Sequence, residues 1–197
     1  MNHLAHALLS GPDADALLGS LLGDFWRGAP DPAWPAGVRG GVLLHRRIDV
    51  FTDSHPSVIE ARSRFEAPWR RYAGILIDIY FDHRLARDWP AFASEPLADF
   101  SARALRLLRA NRDWLPGGLN RFAGYCAVHG LFAAYARRPM IEEVLAGVGM
   151  RLRHPNRLAE AGPALWAQAG ALDAAFDRFC PDLFEFARAQ RTRLLQE

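Results

Sequence analysis

Ionisable side chains are concentrated in residues 43–56, LLHRRIDVFTDSHP, among leucine, isoleucine, valine and phenylalanine. On a helix, His45 and Asp49 have i, i+4 spacing and therefore lie on one face, one turn apart. An imidazole and a carboxylate so placed can bind a divalent cation or exchange a proton with a substrate. Arg46 and Arg47 project to neighbouring sides, where a guanidinium can bind phosphate at two points. The alternative is that these arginines pair with nearby carboxylates and only stabilise the helix.

A second cluster lies in residues 74–89, GILIDIYFDHRLARDW, which are apolar almost all round and therefore predict a buried helix. Asp78 and Asp82 have i, i+4 spacing on it, and His83 is adjacent. A buried carboxylate needs a cation, which is either an arginine or a metal ion. Two carboxylates and an imidazole suit Mn²⁺, Mg²⁺ or Fe²⁺. A purely structural network closed by arginines is the alternative.

Two further acid and histidine positions precede these clusters. Asp24 follows the apolar segment LLGSLLG, and His3 and His6 have i, i+3 spacing in the N-terminal segment NHLAH. Histidines in a short apolar helix are also common as core residues without a ligand role.

The elements that must position these residues are helices, because apolar residues recur at three- and four-residue spacing and alternating patterns are scarce. We predict helices at residues 2–9, 13–27, 36–52, 56–66, 68–88, 96–114, 118–137, 140–151, 157–170 and 171–194. No linker or repeat divides the chain. The sequence therefore predicts a single all-α helical bundle over residues 1–197.

Glycine and proline mark several of these boundaries. Ser54 is predicted to cap the helix that begins at Pro56, and Pro68 separates two helices. The Pro-Gly-Gly segment at 116–118 is predicted to end a helix, and Pro181 to kink or interrupt the last one.

Composition limits the functional classes. All 24 basic residues are arginines, and the net charge is only +2, which argues against nucleic acid binding by bulk electrostatics. No apolar run approaches the roughly 18 residues of a membrane span, so we expect no membrane partner. Only Cys126 and Cys180 could form a disulfide, which favours the reducing cytoplasm.

Familiar catalytic motifs are absent: the sequence has no G-x-S-x-G, no H-E-x-x-H, no paired cysteines and no glycine-rich dinucleotide fingerprint. Aspartates and histidines on apolar helix faces, together with many arginines, instead fit metal-assisted hydrolysis of a phosphoester.

Four blocks in this order resemble the acyl carrier protein phosphodiesterase family. They are N-x-L-A-H at the start, G-D-F at 23–25, H-R-R-I-D-x-x-T-D at 45–53 and D-x-x-x-D-H-x-L-A-R-x-W at 78–89. The resemblance implies a fold related to the HD-type metal-dependent phosphohydrolases. It also implies removal of 4′-phosphopantetheine from holo acyl carrier protein, with Mn²⁺ as the favoured ion.

The resemblance also implies roles for individual residues. The leading metal ligands are the residues at matching motif positions: Asp24, His45, Asp78 and Asp82. His6, Asp49 and His83 follow as outer ligands or as residues that orient the ligands. His3 occupies a variable motif position and is left out. The Asp82-His83 order reverses the His-Asp pair of ordinary HD proteins, which leaves the ligand set open.

For the reaction itself, His83 or His45 is the expected proton donor to the leaving serine oxygen. Arg46 or Arg47 is expected to clamp the phosphate. His55 is read as a turn residue rather than a ligand.

The implied partner is a small acidic carrier protein, which an arginine patch would attract. Arg84 and Arg87 are candidates for that patch, although a solvated helix face explains them equally well. Two other functions stay open: an HD-type phosphohydrolase acting on nucleotides or another small phosphoester, and a non-catalytic helical interaction module.

Overall fold

A computed structural model describes residues 3–194, and no β-strand occurs in that range. Its α-helices follow in the order α1 (His3–Leu9), α2 (Ala14–Leu22), α3 (Ala36–Ser54), α4 (Pro56–Ser63), α5 (Ala73–Arg87), α6 (Leu97–Ala110), α7 (Gly117–His129), α8 (Leu131–Ala134), α9 (Arg138–Arg151), α10 (Gly162–Ala167) and α11 (Ala169–Leu194). The predicted all-α class is confirmed. The relation to the HD fold stays a prediction.

Several helix boundaries differ from the sequence prediction. The segment predicted as one helix over 118–137 is divided into α7 and α8 by Gly130, whose φ of 61° is left-handed and ends α7. The segment predicted over 13–27 ends in a 3-10 turn at Gly23–Phe25. The Pro-Gly-Gly segment begins a helix instead of ending one, because Pro116 is the N-terminal cap of α7.

The junction between α3 and α4 also has a different cap from the one predicted. Ser54 is the last residue of α3, and its hydroxyl donates to carbonyl oxygens of its own helix. The cap is His55, whose Nδ1 accepts a hydrogen bond from the backbone N–H of Ser57 at 3.3 Å. The interpretation of His55 as a turn residue is confirmed.

Pro181 lies inside α11, which is not interrupted and continues to Leu194. The helix survives the proline because it buries a continuous apolar stripe, including Phe179 before the proline and Leu183 after it, against the rest of the core. None of the helices in the described range combines the length and the apolarity that crossing a bilayer requires.

Helices α2 and α3 are packed backbone to backbone. A Cβ on Gly19 would lie only 2.0 Å from the carbonyl oxygen of Val38, and a Cβ on Gly41 only 2.3 Å from that of Ala16. Any larger residue would separate the two helices. This close contact brings the end of α2 against the middle of α3, where the acid and histidine residues lie.

Candidate active site

His45 lies on α3, and its ring faces the turn that follows α2. A Cβ on Gly23 would lie 2.3 Å from Cγ of His45, so glycine is needed to leave room for the ring. The Nδ1–H of His45 donates to the carbonyl oxygen of Ser20 at 2.8 Å. Because a carbonyl can only accept, this bond fixes the ring orientation and directs Nε2 away from α2.

Two carboxylates converge on Nε2 of His45. Oδ1 of Asp24 lies 3.3 Å from this nitrogen, and Oδ2 of Asp49 lies 3.2 Å from it. Asp24 comes from the 3-10 turn after α2, and Asp49 follows His45 by one turn of α3. The i, i+4 spacing of His45 and Asp49 on α3 therefore does bring these two side chains into contact.

Helix α1 adds two more imidazoles. The ring of His6 stacks on that of His45 with centroids 3.7 Å apart, and its Nε2 lies 3.0 Å from Oδ1 of Asp49. Nδ1 of His3 lies 3.2 Å from Oδ2 of Asp24. The result is a continuous series of contacts, which we call the His/Asp cluster: His3, Asp24, His45, Asp49 and His6.

The position of α1 is set by Asp82 on α5. Its carboxylate accepts hydrogen bonds from the backbone N–H groups of Leu4 at 2.8 Å and Ala5 at 3.0 Å. Burial raises the pKa of Asp82 to about 7, even though these two N–H groups oppose the rise. Asp82 thus holds the start of α1, and the metal-ligand role predicted for it stays a prediction.

Asp78 lies one turn before Asp82 on α5. Burial raises the pKa of its carboxyl group above the ordinary range. Asp78 is not part of the group of side chains whose ligand atoms meet at His45. Asp78 is nevertheless close enough to Asp49 for the two carboxylates to interact electrostatically, and its predicted ligand role stays a prediction.

The electrostatics of the His/Asp cluster favour one positive charge between two negative ones. Burial lowers the pKa of His45, but the hydrogen bonds with Asp24 and Asp49 outweigh it and raise this pKa to about 9. Both carboxyl pKa values fall below their usual range, because the histidine contacts outweigh burial. Burial lowers the pKa of His3 and of His6 to about 4, so both are neutral at pH 7.

The same atoms suit a divalent metal ion. Among the described residues, one group of acids and histidines has its ligand atoms within 4.8 Å of one another: His6, His45 and Asp49. Asp24 contacts the same Nε2 of His45. His6 is only 1% exposed, and its Nδ1 has no hydrogen-bond partner among the described residues. Two imidazoles and two carboxylates form a donor set for Mn²⁺ or Fe²⁺, and the Ser20 carbonyl orients one imidazole as such sites require.

The two arginines predicted to clamp a phosphate have protein partners. Nη2 of Arg46 donates to the carbonyl oxygen of Trp26 at 3.0 Å. Nη1 of Arg47 donates to the side-chain oxygen of Gln190 on α11 at 2.8 Å. Arg46 therefore ties α3 to the loop beyond Asp24, and Arg47 ties α3 to α11.

His83 is directed away from the His/Asp cluster. Its Nδ1 donates to the carbonyl oxygen of Tyr135 at 2.7 Å, and its ring packs edge-on against Trp166. Burial lowers its pKa. These contacts fit a core histidine and give no support to the predicted role as proton donor.

His3 is the cluster residue that sequence reasoning left out. Its i, i+3 spacing from His6 places both side chains on the same face of α1, and that signal was available. Its position in the motif is variable, yet the structure joins it to Asp24 as closely as His45 is joined.

Comparison with known proteins shows the family of the chain. The family model described as acyl carrier protein phosphodiesterase matches residues 1–183. The acyl carrier protein phosphodiesterase of Yersinia pestis is 35% identical over 191 residues, which are 95% of this chain and 98% of the relative. That of Escherichia coli O157:H7 is 34% identical over 195 residues, which are 98% of this chain and 100% of the relative.

No solved structure matches the chain. The family model and the relatives nevertheless cover the His/Asp cluster and nearly all of the helices around it. The chain belongs to the acyl carrier protein phosphodiesterase family.

Proposed function

We propose that this protein hydrolyses the phosphodiester between 4′-phosphopantetheine and a serine of holo acyl carrier protein. The products are the apo carrier and free 4′-phosphopantetheine. The observation that carries the proposal is the convergence of Asp24, Asp49 and His6 around His45, in a chain of this family. Such a set of nitrogen and oxygen donors suits metal-assisted phosphoester hydrolysis.

We propose that His6, His45, Asp24 and Asp49 hold the metal ion, with Mn²⁺ as the first choice and Mg²⁺ or Fe²⁺ as alternatives. When bound, the ion supplies charge stabilisation at the phosphate and lowers the pKa of water. The Ser20 carbonyl keeps Nε2 of His45 available for this purpose. The carboxylates lie between two imidazoles each, which holds them in place before substrate binds.

His3 is our candidate for proton transfer. Its pKa of about 4 keeps it neutral at pH 7, and its Nδ1 faces Asp24, which leaves Nε2 for the substrate side. Water attacks phosphorus, the bond from phosphorus to the serine oxygen breaks, and the proton from water passes through Nε2 of His3 to that oxygen. His3 replaces His83 and His45 in this role.

The proposed partner is the acidic carrier protein, in the cytoplasm, where the unpaired state of Cys126 and Cys180 is expected. Arg84 and Arg87 do not suit the docking patch, because both already contact Asp173. Arg121 and Arg151 line a cavity beside His3 and are better placed to attract an anionic partner.

The test is to incubate the purified protein with holo carrier and Mn²⁺ and to follow the carrier by mass spectrometry. We expect the carrier to lose the mass of 4′-phosphopantetheine in the presence of the ion and to keep it in the presence of a chelator. A holo carrier that stays intact with Mn²⁺, Mg²⁺ and Fe²⁺ would refute the proposed reaction. Turnover of small phosphodiesters with no turnover of the carrier would favour the alternative phosphohydrolase.

A further inference from the structure

A cavity of about 400 Å³ lies between α7 and α9. This volume falls within the roughly 300–1,000 Å³ that is typical of small-molecule sites. Most of its lining is apolar or aromatic, with Phe122 and Tyr125 from α7 and Val144 and Val148 from α9. Apart from His3, the residues of the His/Asp cluster do not line this space, so the cavity needs an explanation of its own.

The cavity shares one side chain, His3, with the His/Asp cluster. His3 lines it and at the same time contacts Oδ2 of Asp24 at 3.2 Å. The ring of His3 packs on Phe122, with centroids 4.2 Å apart, and stacks on Phe25 at 5.8 Å. A molecule whose reacting group lies at the cluster would therefore have the rest of its length directed along these rings.

The charged residues of the lining also indicate which kind of ligand the cavity suits. Arg121 and Arg151 are the charged residues among the described lining residues, and none of these residues carries a carboxylate. Guanidinium groups in the lining favour a ligand that carries a phosphate. The apolar remainder favours an uncharged chain attached to that phosphate.

We propose that this cavity binds the pantetheine arm of the substrate, an inference that rests on the proposed function. The arm is a linear, uncharged chain with a dimethyl-substituted carbon near the phosphate, two amides and a terminal thiol. With the phosphate at Asp24 and His45, the dimethyl group lies against Phe25 and Phe122, and the amide end extends between α7 and α9. The cavity thereby distinguishes the pantetheine phosphodiester from other phosphodiesters.

Gly147 on α9 offers a way to fill the cavity without disturbing the fold. It lines the cavity, and a Cβ built on it meets no atom within 4 Å. Gly124 on α7 is the matched control, because its Cβ also meets nothing but it does not line the cavity. Both glycines are helical, so replacing either with leucine favours the helix.

The experiment measures the binding of pantetheine, without phosphate, by calorimetry, and the KM for holo carrier in parallel. We expect Gly147→Leu to weaken pantetheine binding and to raise KM at least tenfold, with Gly147→Ala showing a smaller loss. Gly124→Leu is expected to stay within twofold of the wild type. Circular dichroism of each variant checks that the helices are retained.

Equal pantetheine affinity in the wild type and in Gly147→Leu would overturn the inference. Normal turnover of holo carrier by Gly147→Leu would also overturn it. So would a higher affinity of the wild type for decanoate than for pantetheine. Failure of the proposed function gives a different result, in which the wild type does not cleave the carrier at all. Pantetheine binding is measured without turnover, so the two failures can be told apart.

Discussion

The imidazole rings of His6 and His45 lie stacked with their centroids 3.7 Å apart, although one ring belongs to α1 and the other to α3. Two buried imidazoles can be this close only if they are not both positively charged, because like charges repel strongly away from water. Asp49 contacts both rings through its two oxygens. The three side chains therefore hold one positive charge in the metal-free protein, carried by an added proton, and a divalent metal ion would take the place of that proton in the proposed enzyme.

We predict that His6→Gln weakens Mn²⁺ binding by about 10- to 100-fold or more, since even residues that only orient a ligand have effects of that size. Isothermal titration calorimetry measures the dissociation constant directly. His129→Gln is the control, because His129 is exposed on α7 and its ring stacks on that of Tyr125. Equal affinities in the wild type and His6→Gln would remove His6 from the ligand set.

The histidines of the metal-free protein should titrate in two separate ranges. The pKa of His45 is raised to about 9 by its two carboxylates, whereas burial lowers that of His3 and of His6 to about 4. NMR titration of the imidazole rings measures all three values. Ring signals that all titrate near the ordinary value of 6.5 would contradict the described cluster.

The raised pKa of His45 also predicts a pH-dependent contribution to stability. Its folded pKa lies above the unfolded value of 6.5, so the stabilisation is complete below pH 6.5 and is lost as pH rises through about 9. We therefore expect the difference in unfolding free energy between the wild type and His45→Gln to shrink between pH 6.5 and 9.5. Urea denaturation with a chelator present measures this difference.

Part of this site could be read from the sequence, because helical spacing alone places His45 and Asp49 on one face of α3. The same rule limits what the sequence predicts for the second cluster, in residues 74–89. Asp82 and His83 are consecutive, so their side chains project about 100° apart around the helix and can face different neighbours. In the structure Asp82 faces α1, and His83 faces Tyr135.

Other features depend on contacts between distant parts of the chain. Asp82 binds backbone groups 78 and 77 residues away, and Arg47 binds Gln190, which is 143 residues away. The sequence pattern showed that the Asp82 carboxylate needed a partner, but helix packing decides that the partner is the start of α1. Helix boundaries at Gly130 and Pro116 likewise followed from local backbone geometry that periodicity does not report.

Asp82→Ala is predicted to destabilise the protein by about 2–4 kcal/mol, because two buried N–H groups lose their acceptor. The loss of unfolding free energy should be the same with and without Mn²⁺ if Asp82 is not a metal ligand. Urea denaturation of both forms measures it. Asp113→Ala is the control, since its side chain is 97% exposed. A destabilisation seen only in the Mn²⁺-loaded protein would restore Asp82 to the ligand set.

Arg47→Ala should affect stability more than catalysis. The lost hydrogen bond to Gln190 is expected to cost about 0.5–1.5 kcal/mol of unfolding free energy. We expect kcat/KM for holo carrier to remain within about threefold of the wild type, a change of less than 1 kcal/mol in activation free energy. A decrease of a hundredfold or more with normal stability would instead indicate that Arg47 contacts the phosphate.

The most direct test of the central claim compares two aspartates one turn apart on α3. Asp49 contacts His6 and His45, whereas Asp53 is 65% exposed and pairs with Arg62. Release of 4′-phosphopantetheine from holo carrier, followed by mass spectrometry with Mn²⁺ present, is measured for Asp49→Asn and Asp53→Asn. We predict a loss of at least about a thousandfold in kcat/KM for Asp49→Asn, roughly 4 kcal/mol of transition-state stabilisation, and wild-type turnover for Asp53→Asn. Equal turnover by the two variants would contradict the assignment of the His/Asp cluster as the active site.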